Sequence, residues 1–244
     1  MPINDYKEIT VPVNGTDKAV KMIQDSNGNI IWGSQSAFPY RRLEYIHFNG
    51  NDWINSQFDP WNNCSLIIDI CWDANNEGTF NGHGRNVVNN RLFIGVESGS
   101  KKIMFGSGAS SPAISNSDPY NRHTYQVTTS TGTGKAFIDG TQVWSGSSNF
   151  VESNRGKIYI GGVYRSTGDY SPVKAKIYNV KFINNYSTNP NNVVWNWIPV
   201  QRKSDGAIGF LKLKSSGATP DFMQSVNGLL EAGPVVDEYW NQTA

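Results

Sequence analysis

Little in this chain is charged, and very little is sulfur. Charged residues make up 17% of the 244, and 21 Lys and Arg against 20 Asp and Glu leave a formal net charge of +1. No basic field exists to steer the chain onto nucleic acid or an anionic membrane, so neither is an expected partner. The cysteines are Cys64 and Cys71, both inside CSLIIDICW. Read as one strand, this stretch points them to opposite faces, roughly 20 Å apart at about 3.3 Å per residue. A disulfide needs Cα atoms within about 7 Å, so the two are expected as free thiols behaving as small hydrophobes. No run approaches the roughly 20 apolar residues of a membrane span. The opening MPINDYKEITVPVNG lacks the basic flank and apolar core of a signal peptide, and the chain reads as soluble. Helical periodicity is hard to find anywhere.

What is present is turn chemistry at regular intervals, with 24 Gly, and aromatic residues at 12% to supply a core. Short alternating runs separated by turn signals every ten or so residues are the spacing of a β-sandwich or barrel. KMIQDSNGNIIWG reads as a hairpin, because Asn27-Gly28 tolerates positive φ between two apolar runs. Residues 1–34 otherwise read as an extended arm, and SQSAFP as a linker. RLEYIHFNGNDWINS gives a strand, a turn at Asn49-Gly50 and a short second strand. CSLIIDICWD belongs at the centre of a sheet, with Leu66, Ile68, Ile70 and Trp72 on one face. RLFIGVES and KKIMFGSG form a hairpin through SGSK, followed by a polar loop, ASSPAISNSDPYN.

In HTYQVTTSTGTGKAFIDGTQVW, Tyr125, Val127 and Thr129 share a face, STGTG turns, and Asp139-Gly140 turns again. GKIYIGG and VKAKIYNVKFIN follow as strands. In the second, Ile177 is out of phase with Val180 and Phe182, which predicts a β-bulge near Tyr178-Asn179. NNYSTNPNNVVWNW reads as a connection anchored by Val194, Trp195 and Trp197, and AIGFLKL with DFMQSVNGLL as a last strand pair.

HTYQVTTSTGTGKAFIDGTQVW, GKIYIGG and VKAKIYNVKFIN, in that order, resemble the core of laminin-G-like, concanavalin A-type jelly rolls over roughly residues 40–188. The flanks LEYIHFNGNDWINSQFDP and IPVQRKSDGAIGF with DFMQSVNGLLEAGPVV are similar to the ends of laminin-G-like proteins of gut bacteriophages and bacteria. In those the C-terminal segment packs on the sandwich. KMIQDSNGNIIWG resembles a hairpin near the start of phage virion and tail proteins. The family's usual "LYD…FYTNAGTG" tail reads LKLKSSGATPDFMQSVNGLLEAG here.

The resemblance implies an all-β, two-sheet antiparallel jelly-roll sandwich, concanavalin A-like, over residues 39–244. Residues 1–38 then form an N-terminal arm and hairpin for virion attachment.

The same architecture hosts glycoside hydrolases, whose two carboxylates must lie about 5–9.5 Å apart. Asp69 and Asp73 share a face but sit roughly 13 Å apart at strand rise, without an accompanying Glu. His47, His83 and His123 form no metal-binding spacing. His123 stands at a strand start, where the resemblance implies structural packing. Asp73, Asp118 and Asp169 are loop oxygens, but no D-x-D-x-D-G loop is present. GSGASS and STGTGK match no phosphate-binding loop, and G-x-S-x-G is missing. No enzyme activity, cofactor or metal is expected.

Sugar rings stack on Tyr and Trp while Asn, Asp and Arg supply hydrogen bonds. Two segments have that composition. NGHGRN reads as an exposed loop carrying His83, Arg85 and Asn86, and GGVYRSTGDYSP carries Tyr164, Arg165, Asp169 and Tyr170. These seven are the candidate ligand-binding residues. The expected function is a phage virion structural protein, a head-fibre, decoration or tail-adhesion component. It would reside on the virion, bind other virion proteins through its arm, form a homo-oligomer, and present its sandwich toward surface glycans. The rival is a carbohydrate-binding module or sandwich-type hydrolase on a bacterial surface.

Overall fold

The computed structural model of the chain describes residues 10–13, 16–19, 22–24, 30–33, 39–56, 63–74, 81–86, 91–97, 100–130, 132–150, 157–165, 170–183, 193–213 and 221–237. Among these every regular element is a strand.

Near the N-terminus, β1 (Thr10–Val13) pairs antiparallel with β2 (Thr16–Ala19), and β3 (Met22–Gln24) with β4 (Ile30–Gly33). The second pair is the hairpin expected from KMIQDSNGNIIWG, although Asn27-Gly28 and the linker at 34–38 lie outside the described residues. The first pair was not expected. Its TVPV and TDKA segments, four residues each, are too short to signal pairing.

Two large sheets make the sandwich. In chain order their strands are β5 (Tyr40–Leu43), β6 (Ile46–Asn49), β7 (Ile54–Asn55), β8 (Cys64–Trp72), β9 (Asn81–Asn86), β10 (Arg91–Glu97), β11 (Lys102–Gly108), β12 (Ala113–Ser115) and β13 (His123–Thr129). They continue as β14 (Thr133–Ile138), β15 (Thr141–Ser147), β16 (Tyr159–Ile160), β17 (Gly162–Arg165), β18 (Tyr170–Pro172), β19 (Lys174–Ile183) and β20 (Val193–Arg202). The last are β21 (Ile208–Leu213), β22 (Asp221–Gln224), β23 (Glu231–Ala232) and β24 (Val235–Asp237).

The larger sheet runs β15-β14-β13-β8-β19-β20-β21-β22, with β6 beside β19, β5 beside β20, and β23 and β24 outside β6 and β5. The smaller runs β12-β11-β10-β9-β16-β7, with β17 and β18 beside β9. Pairing is antiparallel except between β9 and β17. The chain is thus the all-β, two-sheet sandwich its turn spacing predicts.

Alternation along β8 builds the core. Leu66, Ile68, Ile70 and Trp72 face the other sheet and are buried, while Ile67, Asp69 and Cys71 face away. Cys64 is accordingly buried, Cys71 half-buried on the opposite face, and neither is in a disulfide. Ile46, Phe48, Tyr125, Val127, Phe182 and Trp197 from neighbouring strands of the same sheet, and Leu92, Ile94 and Val96 from β10 of the opposite sheet, complete one continuous cluster. Each fully buried aliphatic side chain contributes about 1.5–3 kcal/mol, and the large aromatics more area again. Trp197 packs edge-on to Phe182, with ring centroids 5.0 Å apart.

Asp139 and Gly140 take φ of 49° and 79°, the positive values that close a two-residue hairpin between β14 and β15. The β19 bulge is also where the phase shift placed it. Ile177 pairs with Ile70 and Asn179 with Asp69, so Tyr178 is the extra residue.

Several readings need correction. Asn49-Gly50 is not a hairpin turn, because β6 lies in the larger sheet and β7 in the smaller, and the chain crosses between layers there. NGHGRN is strand β9, not a loop; its glycines allow close packing against β10, β16 and β17. The polar ASSPAISN stretch contributes edge strand β12. VVWNW is no connection but the start of β20, whose Trp197 faces the core.

The C-terminal segment packs on the sandwich. Its anchor is Asp52, a buried carboxylate accepting backbone N–H bonds from Trp53 at 2.8 Å, Asn227 at 3.0 Å and Leu229 at 2.8 Å.

Candidate functional site

The two candidate segments, nearly eighty residues apart in sequence, meet in the smaller sheet. β17 lies parallel to β9 with Tyr164 opposite Arg85 and Arg165 opposite Asn86. β18 then returns antiparallel with Tyr170 opposite Tyr164. Arg85, Tyr164 and Tyr170 therefore occupy one register row across three strands, with Asn86 and Arg165 one step along. Asp169 lies outside the described residues. Asn86 Oδ1 accepts from Arg91 Nε at 3.1 Å, which ties this corner to β10.

Gly84 makes the junction possible. It pairs with Phe93, Tyr159 and Val163 at once. Its φ is +120°, and a Cβ there would sit 2.8 Å from the Phe93 Cα. A side chain at this position is excluded by both backbone conformation and space.

His83 does not belong to an exposed surface. It is 1% exposed, pairs with Ile94, and lies beside Trp72 with ring centroids 5.2 Å apart. Its Nδ1 accepts the Gly161 N–H at 2.9 Å. Burial pushes its pKa down to about 3, so the ring is neutral, with its proton on Nε2. The glycines either side signal close strand packing and not loop exposure, and His83 is a core residue.

The outer face of the larger sheet carries a cluster that sequence reasoning missed. The β19 bulge sets Tyr178 beside Tyr45, with centroids 5.4 Å apart, and beneath the Arg122 guanidinium, 3.9 Å from the ring centroid. Arg122 in turn grips Asp69 through Nε at 2.9 Å and Nη2 at 2.7 Å. That pairing raises the Arg122 pKa still further. Burial raises the Tyr178 pKa, aided by Cys71 and opposed by Arg122. Lys176 lies 5.1 Å over the Tyr45 ring. The bulge was legible in the phase of β19; its partners come from three other segments and left no local signal.

Two further carboxylates, Asp73 and Asp118, are also engaged. Asp73 Oδ2 is 2.8 Å from His47 Nε2, so both acids of the D-I-C-W-D stretch are paired with side chains from other elements. Asp118 Oδ2 accepts from the Asn121 amide. Among the described residues no three His, Cys, Asp or Glu side chains converge on a metal-sized site. His123 joins two elements structurally, with Nδ1 2.6 Å from Asp139 Oδ2 and Nε2 2.9 Å from the Asp118 carbonyl. A half-open cleft of about 170 Å³ lies between the β20–β21 turn and the C-terminal segment, lined by Asp205, Ile208, Gln224, Ser225 and Leu230 among others.

No family model matches the chain, and no curated protein matches it. Among solved structures it is similar to the mouse laminin alpha1 chain, domains LG4-5, at 14% identity and a TM-score of 0.42. The likeness covers 62% of this chain and 45% of that one, so it spans less than half of that chain's length.

Proposed function

We propose that this chain is a non-catalytic adhesion sandwich that binds glycans through the β9–β17–β18 corner. The observation carrying the proposal is the register row itself: two segments of sugar-binding composition, far apart in sequence, are brought side by side as Arg85, Tyr164 and Tyr170. Tyr and Arg at adjacent register positions are the residue types whose rings stack on sugars and whose guanidinium groups donate hydrogen bonds to them. Hydrolysis needs two free carboxylates with opposite tasks. The nearest sequence pair, Asp69 and Asp73, is already committed to Arg122 and His47, which supports a binding role over an enzymatic one.

The setting we infer is a bacteriophage particle, with the sandwich displayed outward and the N-terminal hairpins docked on a virion partner. The support is the resemblance of KMIQDSNGNIIWG and of the flanks to phage proteins, together with the β3–β4 hairpin at the expected place. Mass spectrometry of purified phage particles tests this. The chain should be present at stoichiometric levels, and a variant lacking residues 1–38 should fold yet fail to incorporate. Incorporation without those residues contradicts the docking role. Turnover of a polysaccharide by the purified chain contradicts the binding reading and favours the hydrolase alternative.

A further inference from the structure

We propose that the C-terminal segment 225–237 is a strap whose outer half is latched to the sandwich by protonated His47. The strap has two unequal halves. Its root is held by Asp52, which accepts the Asn227 and Leu229 N–H groups, and by the Val226 N–H bond to the Trp53 carbonyl at 3.1 Å. Its outer half is two very short strands. β23 pairs with β6 and β24 with β5, joined by Gly233 N–H to the Tyr45 carbonyl at 3.1 Å. Apolar burial there is slight. Leu230 is buried, but Leu229 is 50% exposed, Val235 42% and Val236 54%. An edge element with so few buried apolar contacts sits at the low end of local stability, where one polar interaction matters.

That interaction is His47. Nδ1 lies 2.8 Å from Glu231 Oε2 on the strap, and Nε2 lies 2.8 Å from Asp73 Oδ2 at the end of β8. Only an imidazolium donates from both nitrogens; a neutral ring turns a lone pair toward one of the carboxylates. Lys176 is the register partner of His47 on β19, with Cys71 beside it on β8. The groups in contact with the ring are therefore two carboxylates, with the Lys176 ammonium, turned over the Tyr45 ring, and the Cys71 thiol in the same row beyond them. Burial works against the charge, but the hydrogen bonds and charges of Asp73 and Glu231 together outweigh it and raise the pKa above the ordinary 6.5. The latch is therefore fully closed below about pH 6.5 and opens as pH rises through the raised value. Glu231, with its side chain 60% exposed against 30% for Asp73, is the partner that leaves. Opening uncovers the outer edges of β5 and β6 and the Tyr45 ring beneath Gly233, a place for another strand to add.

Hydrogen exchange of the full chain, read by mass spectrometry from about pH 5.5 to about pH 9 and corrected for intrinsic rates, tests the latch. Protection at 231–237 should fall about two- to fivefold as His47 deprotonates, the range expected for a partly exposed ion pair. Protection in β8 should not follow it. His47→Gln should remove the pH dependence. Glu231→Gln, at an exposed position, should give the high-pH protection at every pH and carries the test should the first variant fail to fold. Strap protection that is flat with pH in the wild type, or a pH dependence unchanged in Glu231→Gln, overturns the proposal.

Discussion

Asp139 Oδ2 lies 2.6 Å from His123 Nδ1, and Oδ1 of the same carboxylate accepts the Thr124 N–H at 2.8 Å. One side chain thus fastens the β14–β15 turn to the start of β13. Burial disfavours the charge on both groups, yet their mutual hydrogen bond and attraction, together with the Asp118 carbonyl on His123 and the Thr124 N–H on Asp139, outweigh it, raising the His123 pKa and lowering that of Asp139. The stabilisation from the raised histidine is complete below about pH 6.5 and lost as pH climbs through its folded value. That from the lowered aspartate is complete above about pH 4 and lost as pH falls. The pair therefore contributes most between about pH 4 and 6.5. Asp139→Asn should cost about 0.5–1 kcal/mol in that window, with the aspartate half exposed. It should also return the His123 titration, followed by NMR, toward 6.5.

His83 has the opposite sign. Its pKa is about 3 in the fold, so the unfolded chain binds more protons between about pH 3 and 6.5. Stability is present above about pH 6.5 and lost as pH falls from there toward 3. Urea unfolding across this range should show an acid loss that His83→Gln largely removes. A variant that keeps the same acid loss contradicts the buried neutral ring.

Asp52 is expected to be the costliest carboxylate to remove. Asp52→Ala strands three backbone N–H groups, at about 1–3 kcal/mol each where buried. Chemical denaturation should show a loss of about 3 kcal/mol or more, with the largest gain in hydrogen exchange at 225–230.

Gly84→Ala tests the junction at the proposed binding corner. The added Cβ meets Phe93 Cα and the Leu92 carbonyl, and the φ of +120° is closed to alanine. A loss of about 3 kcal/mol or more is expected from thermal unfolding, against under about 1 kcal/mol for Gly132→Ala, whose Cβ meets nothing.

Much of the sandwich was legible because strand periodicity is local. The β8 face, the Asp139-Gly140 turn and the Tyr178 bulge each follow from residues a few positions apart. Reading failed where tertiary packing overrode local signals. The glycines of NGHGRN look like loop residues, yet they let β9 contact three strands, and His83 turns inward with them. VVWNW follows an Asn-rich run whose turn signals mask the strand that begins there. For the site, sequence gave the two segments but not their adjacency, which depends on a parallel pairing no local pattern encodes. The Arg122–Tyr178–Tyr45 cluster was unreadable for the same reason.

The most direct test of the binding corner is a glycan array probed with the full chain and with a Tyr164→Ala, Tyr170→Ala double variant of unchanged circular dichroism. The account predicts a defined set of glycans bound by the wild type, weakened at least about tenfold in the variant, consistent with losing two aromatic stacking contacts. Absence of any bound glycan, or equal binding by both proteins, contradicts it.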